Sequence, residues 1–250
     1  MNLKQLLSYS ETDKQQFISG SKYSEIDYLK FHYRRFKFLL SLLPSRSQGK
    51  LLDIGTTPFT FYLSENTNHD VFAFDYNIYL KERSEEFNIH FKSGNLEKDD
   101  LPYEDDFFDI VLFAEVFEHI HCDPIKLLKR LLKTIKPGGI LILGTPNLAS
   151  FANRVKLLFN YAILDYPTWN DTVHGHDRIF IKNELISYLM MSGFNIQRVR
   201  YSSCVDFIKT KNDSLMNGIL KTISEIITIP FRFVFPSLNG TIIITAQKPD

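Results

Sequence analysis

Glycine is scarce in this sequence: 11 residues in 250, against 22 phenylalanines and 12 tyrosines. Folds that bind nucleotides use glycine where the backbone must approach a ligand, so any such loop here has to be built from other residues. Cysteine is scarcer still. Cys122 and Cys204 lie far apart with no CxxC spacing, which argues against a disulfide framework or a structural zinc site and fits a reducing cytoplasm. An excess of charge is also missing. Lysine plus arginine equals aspartate plus glutamate at 29 each, so nothing drives sequence-independent binding to DNA or anionic lipid. A local basic patch, or contact with an RNA end, stays open on this count. There is no 18-residue uncharged apolar stretch, and the N-terminus turns polar before an apolar run develops. Neither a membrane span nor a signal peptide is therefore expected. With 44% hydrophobic residues, the length suits one core, or a core plus a small cap.

Two kinds of pattern fill that length. Over residues 1–48 there is no strand signal, but Ile26, Leu29, Tyr33, Phe36, Leu40 and Leu43 recur at three- and four-residue steps, predicting an amphipathic helix ending before Pro44. We read 1–48 as a helical N-terminal cap and 49–250 as the main domain. From Lys50 onward, short β-rich runs alternate with helix-length segments: LLDIG at 51–55, VFAFD at 71–75, IHFKSG at 89–94, FDIVLF at 108–113 and ILILGT at 140–145. Such alternation predicts an α/β fold, a mostly parallel sheet with helices on both faces. The strongest helix, PIKLLKRLLKTIKPGG, starts after Asp123 with Pro124 in its first turn and is expected to stop at Pro137-Gly138-Gly139. Residues 146–181 read as an irregular lid loop. A helix (KNELISYLMMSGF), a strand (NIQRVRYSS) and a closing strand (GTIIITAQK) follow, with 205–239 inserted between the two strands.

Ligands of an open parallel sheet bind beyond the carboxyl ends of its strands, near the point where strand order reverses. Asp53-Ile54-Gly55 closes the first run and Asp75 the second. A carboxylate at the second position offers two acceptor oxygens to the two hydroxyls of a ribose. Asn95-Leu96 follows the third run, where an amide or exposed backbone can meet an adenine edge. Asp53 has an alternative use, capping nearby backbone N–H groups.

With these pieces in order, the sequence resembles the class I S-adenosylmethionine-dependent methyltransferases. The branch it is most similar to holds the ubiquinone-biosynthesis O-methyltransferases and enzymes of surface-glycan pathways. LLDIG, Asp75, GNLEKDDLPYEDDFFDIVLFAEVFEHI, LLKTIKPGGILILGTPN and HDRIFIKNELISYLMMSGF carry the resemblance, over roughly residues 50–200. It implies a Rossmann-like seven-stranded sheet with an antiparallel C-terminal hairpin. It also implies that Gly55 and Thr56 approach the methionine part of the cofactor, that Asp75 with Tyr76 beside it holds the ribose, that Asn95 and Leu96 flank the adenine, and that Ala114 offers its carbonyl to the cofactor amine. One segment departs from the family. Its loop commonly reads D-x-G-x-G-x-G, whereas this chain has DIGTTPF, with Thr57 and Phe59 in place of two glycines and Pro58 lacking a donor. Two outcomes are open: Phe59 packs away and a reshaped loop still binds cofactor, or the fold persists without it as a non-catalytic partner protein.

Glu115, Glu118 and His119 are spaced i, i+3, i+4 and share one face if a helical turn follows the fourth strand. In some relatives, the ubiquinone-pathway O-methyltransferases and small-RNA 2′-O-methyltransferases, a similar E-x-x-E-H motif holds Mg²⁺ or a related divalent cation. Here His176, or His174, would be the added ligand. Three uses are open: a metal site of Glu115, Glu118, His119 and His176; metal-free acid/base catalysis by His119 and Glu118; or a structural role. On the acceptor side, Asn147, Trp169, His174 and Arg178 are the candidates to touch a small-molecule substrate. Segment 219–235, ILKTISEIITIPFRFVF, can line a pocket, lie on a membrane surface, or pack on the sheet as a helix followed by an extended crossover.

Overall fold

In the computed structural model of the chain, residues 1–10, 25–44, 48–164, 178–202 and 234–250 are described. Two helices precede the sheet: α1 (Leu3–Leu7) and α2 (Glu25–Leu42). Then follow β1 (Lys50–Ile54), α3 (Pro58–Asn66), β2 (Asp70–Asp75), α4 (Leu80–Glu86), β3 (His90–Ser93) and β4 (Phe108–Ala114). A 3₁₀ turn at Phe117–His119 leads to α5 (Pro124–Thr134), β5 (Ile135–Pro146), α6 (Phe151–Leu158), α7 (Lys182–Met191), β6 (Asn195–Ser202) and β7 (Thr241–Gln247). The strands form one seven-stranded sheet in the order β3-β2-β1-β4-β5-β7-β6. β7 pairs antiparallel with both of its neighbours, and every other pairing is parallel. The antiparallel C-terminal pair expected from the sequence is thus β6–β7, with β7 inserted next to β5.

Alternation along each central strand divides the core into two layers. Leu51, Val71, Ala73, Ile110, Leu112, Ile142 and Ile243 face Leu6, Leu29, Phe36, Leu39, Phe59 and Tyr62 of α1, α2 and α3. Leu52, Ile54, Phe72, Phe74, Val111, Phe113, Leu141, Leu143 and Ile244 face Leu127, Leu128 and Leu131 of α5 and Leu185 and Leu189 of α7. The abundant phenylalanines therefore have a structural use: eight of the largest fully buried side chains are Arg35 and the phenylalanines 59, 61, 74, 108, 113, 117 and 180. The N-terminal helices belong to the first of these layers.

Two expectations need correction. Helix α5 begins as predicted, with the Asp123 carboxylate accepting the Ile125 and Lys126 N–H groups and Pro124 in the first turn. It ends earlier, at Thr134, because Ile135 already pairs with Phe108; Pro137-Gly138-Gly139 lies within β5, where the register shifts between Phe108 and Ile110 and Gly138 takes φ +73°. Residues 151–158 of the supposed irregular loop form α6, capped by the Ser150 side chain accepting the Asn153 N–H. No helix among the described residues is long and apolar enough to cross a membrane.

Candidate functional site

The winding direction of the sheet reverses between β1 and β4, and ladder register brings four strand ends to that point. Ile54 lies beside Phe74 and Phe113, and Ala114 beside Gly144, so Gly55, Asp75 and Ala114 line one edge. Gly55 has φ +88°, and a Cβ on it would come within 2.6 Å of Val116 Cγ2. Both conditions require glycine at this position.

The rest of the loop is held by side chains. Asp75 accepts the Thr56 N–H on Oδ2 at 2.7 Å and the Asn77 N–H on Oδ1 at 2.8 Å. The Tyr76 N–H also bonds this carboxylate, so of its about four acceptor sites one is left for a ligand hydroxyl. Thr57 caps α3, accepting the Phe59 N–H on its hydroxyl, and Thr60 accepts the Thr57 N–H at 2.9 Å while donating to Asp53 Oδ2 at 2.6 Å. Phe59 is buried and stacks on Phe36 of α2 with ring centroids 4.8 Å apart. Its bulk is turned into the core between α2 and α3, as the packing half of the first expectation for this residue has it. The Thr56 hydroxyl is buried and has no hydrogen-bond partner among the described residues.

Asp53 is 4% exposed. Burial pushes its carboxyl up to about 7 against the pull of the Thr60 hydroxyl, with a further push from Asp75. Raised from 3.8, this group favours the fold fully below its unfolded value and ceases to do so as pH rises through about 7. Asp53→Asn, which keeps an acceptor for Thr60, is therefore expected to be more stable than the parent at pH 8 by roughly 2–4 kcal/mol and equal to it near pH 4. Urea midpoints at the two pH values check this; a gain that is the same at both would refute it.

At the end of β4 the structure departs from the predicted helical face. Glu115 has φ +57° and a 3₁₀ turn starts only at Phe117, so Glu115 is not in one helical turn with Glu118 and His119. A left-handed non-glycine residue is costly, by about 1–3 kcal/mol, and persists where surroundings enforce it. Here Arg35 of α2, itself 2% exposed, reaches Glu115 Oε2 at 2.7 Å, and Tyr28 accepts from the same guanidinium at 3.3 Å. The other oxygen, Glu115 Oε1, is buried with no hydrogen-bond partner among the described residues. Glu118 is fully buried, accepts the Thr145 hydroxyl at 3.2 Å, and is pushed well above the usual carboxylate range by burial and by Glu115. His119 is half-buried at the end of the turn.

The expected metal set is thus not assembled. A guanidinium occupies the place beside Glu115 that a cation would take, Glu118 lies inside the core, and no group of three His, Cys, Asp or Glu among the described residues is arranged to hold a metal ion. His176, Trp169 and His174 lie outside the described residues, as does 219–233. Glu118, expected to act in acid/base chemistry, is likewise enclosed. Asn147 does not face an acceptor: it is 2% exposed, its amide donates to the Ser237 and Asn239 carbonyls, and its oxygen accepts the Ala149 N–H. Arg178 braces α7 through Glu184 and the Tyr188 hydroxyl. Asn95 is exposed and starts a turn by accepting the Glu97 N–H, Leu96 is buried, and Tyr76 is 70% exposed just past Asp75. Arg35 and Thr60 were missed; Tyr28, His32, Arg35 and Leu39 recur at helical steps, and Thr57-Pro58-Phe59-Thr60 has the spacing of a capping box with proline at the first helical position.

A family profile described as a methyltransferase domain matches residues 28–199, more than half of the chain. The chain belongs to that methyltransferase-domain family. Its N-terminal boundary falls inside α2, in keeping with the part Arg35 and Phe36 take in the site. Solved structures share the fold. A chain from the complex of the Haloferax volcanii Trm112 methyltransferase activator with a putative methyltransferase is 16% identical, with TM-score 0.63, covering 90% of this chain and 94% of its own. A Thermotoga maritima S-adenosylmethionine-dependent methyltransferase, described as a possible histamine N-methyltransferase, is 18% identical, with TM-score 0.58 and coverage of 89% and 93%. The [4+2]-cyclase SpnF is 16% identical, with TM-score 0.57 and coverage of 86% and 81%. No match was found among curated proteins. The cyclase illustrates why this methyltransferase fold must be given its chemistry from the site.

Proposed function

We propose that this methyltransferase transfers a methyl group from S-adenosylmethionine to a hydroxyl of a small acceptor, a sugar or glycan precursor in preference to a quinone-like phenol. The observation that carries the reading is the edge where β1, β2 and β4 end together, with Asp75, the left-handed turn at Gly55 and two atoms, Thr56 Oγ1 and Glu115 Oε1, that have no hydrogen-bond partner among the described residues. These groups suit the cofactor's chemistry. Asp75 has an acceptor site left for a ribose hydroxyl, the Thr56 hydroxyl can bond a carboxylate, and the Ala114 carbonyl and Glu115 Oε1 can accept from an ammonium. When bound, the cofactor supplies an electrophilic methyl group on a sulfonium.

The protein's own part is alignment and proton removal. His119, half-buried in the turn that follows β4, is the group we assign to take the acceptor's hydroxyl proton as oxygen attacks in line, and no covalent intermediate on the protein is required. A metal-assisted route to a catechol or RNA end is disfavoured by Arg35 at Glu115, which already neutralises the carboxylate such a cation would need. His119→Gln is expected to lower turnover by about 10²-fold or more while leaving S-adenosylhomocysteine affinity within twofold. Methyl transfer from labelled cofactor into fractionated cell extract, with the product identified, tests the acceptor class. A methyl ether supports the reading, and an N-methyl or C-methyl product overturns it.

A further inference from the structure

Every backbone N–H from Gly55 to Thr60 is already used within the chain. Gly55 donates to the Phe74 carbonyl at 3.1 Å, Thr56 to Asp75, Thr57 to the Thr60 hydroxyl, Phe59 to the Thr57 hydroxyl and Thr60 to the Thr57 carbonyl at 2.8 Å; Pro58 has none to give. Glycine-rich loops at helix N-termini act differently, presenting free N–H groups to a ligand. In this chain the loop instead has a fixed internal network, and one side chain joins its two halves. The Thr60 hydroxyl, fully buried, donates to Asp53 at the end of β1 and accepts from Thr57 at the start of α3. Between those two anchors lie Gly55 and Thr56, the residues that face the ligand edge.

We propose that Thr60 is a positioning residue for cofactor binding, its hydroxyl holding the 55–57 loop in receiving shape where relatives rely on glycine. This rests on reading the edge as an S-adenosylmethionine site. The physical basis is preorganisation: a loop ordered before binding loses less conformational entropy when the ligand arrives. Valine has nearly the shape of threonine but can neither donate to Asp53 nor accept from Thr57, whereas serine retains both bonds.

The test is calorimetric titration of S-adenosylhomocysteine into the parent, Thr60→Val and Thr60→Ser proteins, each shown to be folded by circular dichroism at the titration temperature. Thr60→Val is expected to weaken binding by about tenfold, and Thr60→Ser to stay within twofold of the parent. Equal affinity of the folded valine variant and the parent overturns the inference, even if the variant melts lower, because a merely structural hydroxyl changes stability and not the dissociation constant. If the valine variant does not fold, Asp53→Asn/Thr60→Val removes the buried charge along with its donor and is compared with Asp53→Asn alone. Failure of the parent to bind is a different result, and it overturns the cofactor reading itself.

Discussion

Replacing Arg35 by methionine is expected to destabilise the protein by about 3 kcal/mol, the lower end of the range for breaking a buried ion pair from one side. The guanidinium is 2% exposed and the Glu115 side chain 14%, so removing the cation leaves a carboxylate with little water to take its place. The fully buried Glu118 nearby, whose carboxyl is pushed up by burial and by Glu115, offers no compensating positive charge. Methionine keeps most of the arginine volume, so the loss reports charge more than packing. The second variant decides the matter. Arg35→Met/Glu115→Gln is expected to recover at least half of the loss in urea denaturation, because the uncompensated charge has gone. A single-variant loss below about 1 kcal/mol would mean that water screens the pair, as at an ordinary surface.

The other large effect concerns ligand binding. Asp75→Ala is expected to weaken S-adenosylhomocysteine binding by about 100-fold or more, equivalent to roughly 3 kcal/mol for hydrogen bonds to a charged acceptor. Two losses combine on the proposed reading: an acceptor for a ribose hydroxyl, and the bonds that hold the Thr56 and Asn77 N–H groups. Asp75→Asn retains one acceptor oxygen and is expected to fall between alanine and the parent. Both are read by calorimetry, and an alanine variant binding as tightly as the parent would remove Asp75 from the site.

The fold was largely legible because it rests on local periodicity. Runs such as VFAFD and FDIVLF are buried on both faces of a parallel sheet, and near-continuous apolar strands between helix-length segments have few alternatives. The two misread places follow from tertiary pairing. Ile135 ends α5 because it is already in register with Phe108, a contact no local pattern announces, and α6 shows no buried residue, so its apolar positions lacked a clear facing side. The site was legible only in part. Asp75 and Gly55 stand where strand ends place them. The E-x-x-E-H spacing misled because it presumed helical dihedrals at Glu115, whereas the residue sits at φ +57° under the hold of Arg35. Arg35 itself is not among the apolar positions that predict α2, and its burial comes with the ion pair to Glu115 just past β4, a long-range contact. Thr60 and Thr57 were visible as a capping pattern, but their link to Asp53 depends on the turn between β1 and α3.

The glycine shortage with which the sequence opens is therefore answered by hydroxyls at the very loop where a cofactor would lie. Calorimetric titration of S-adenosylhomocysteine into the unmodified protein tests that account most directly. It predicts saturable heat with one ligand per chain; the absence of any binding heat at millimolar ligand would contradict it.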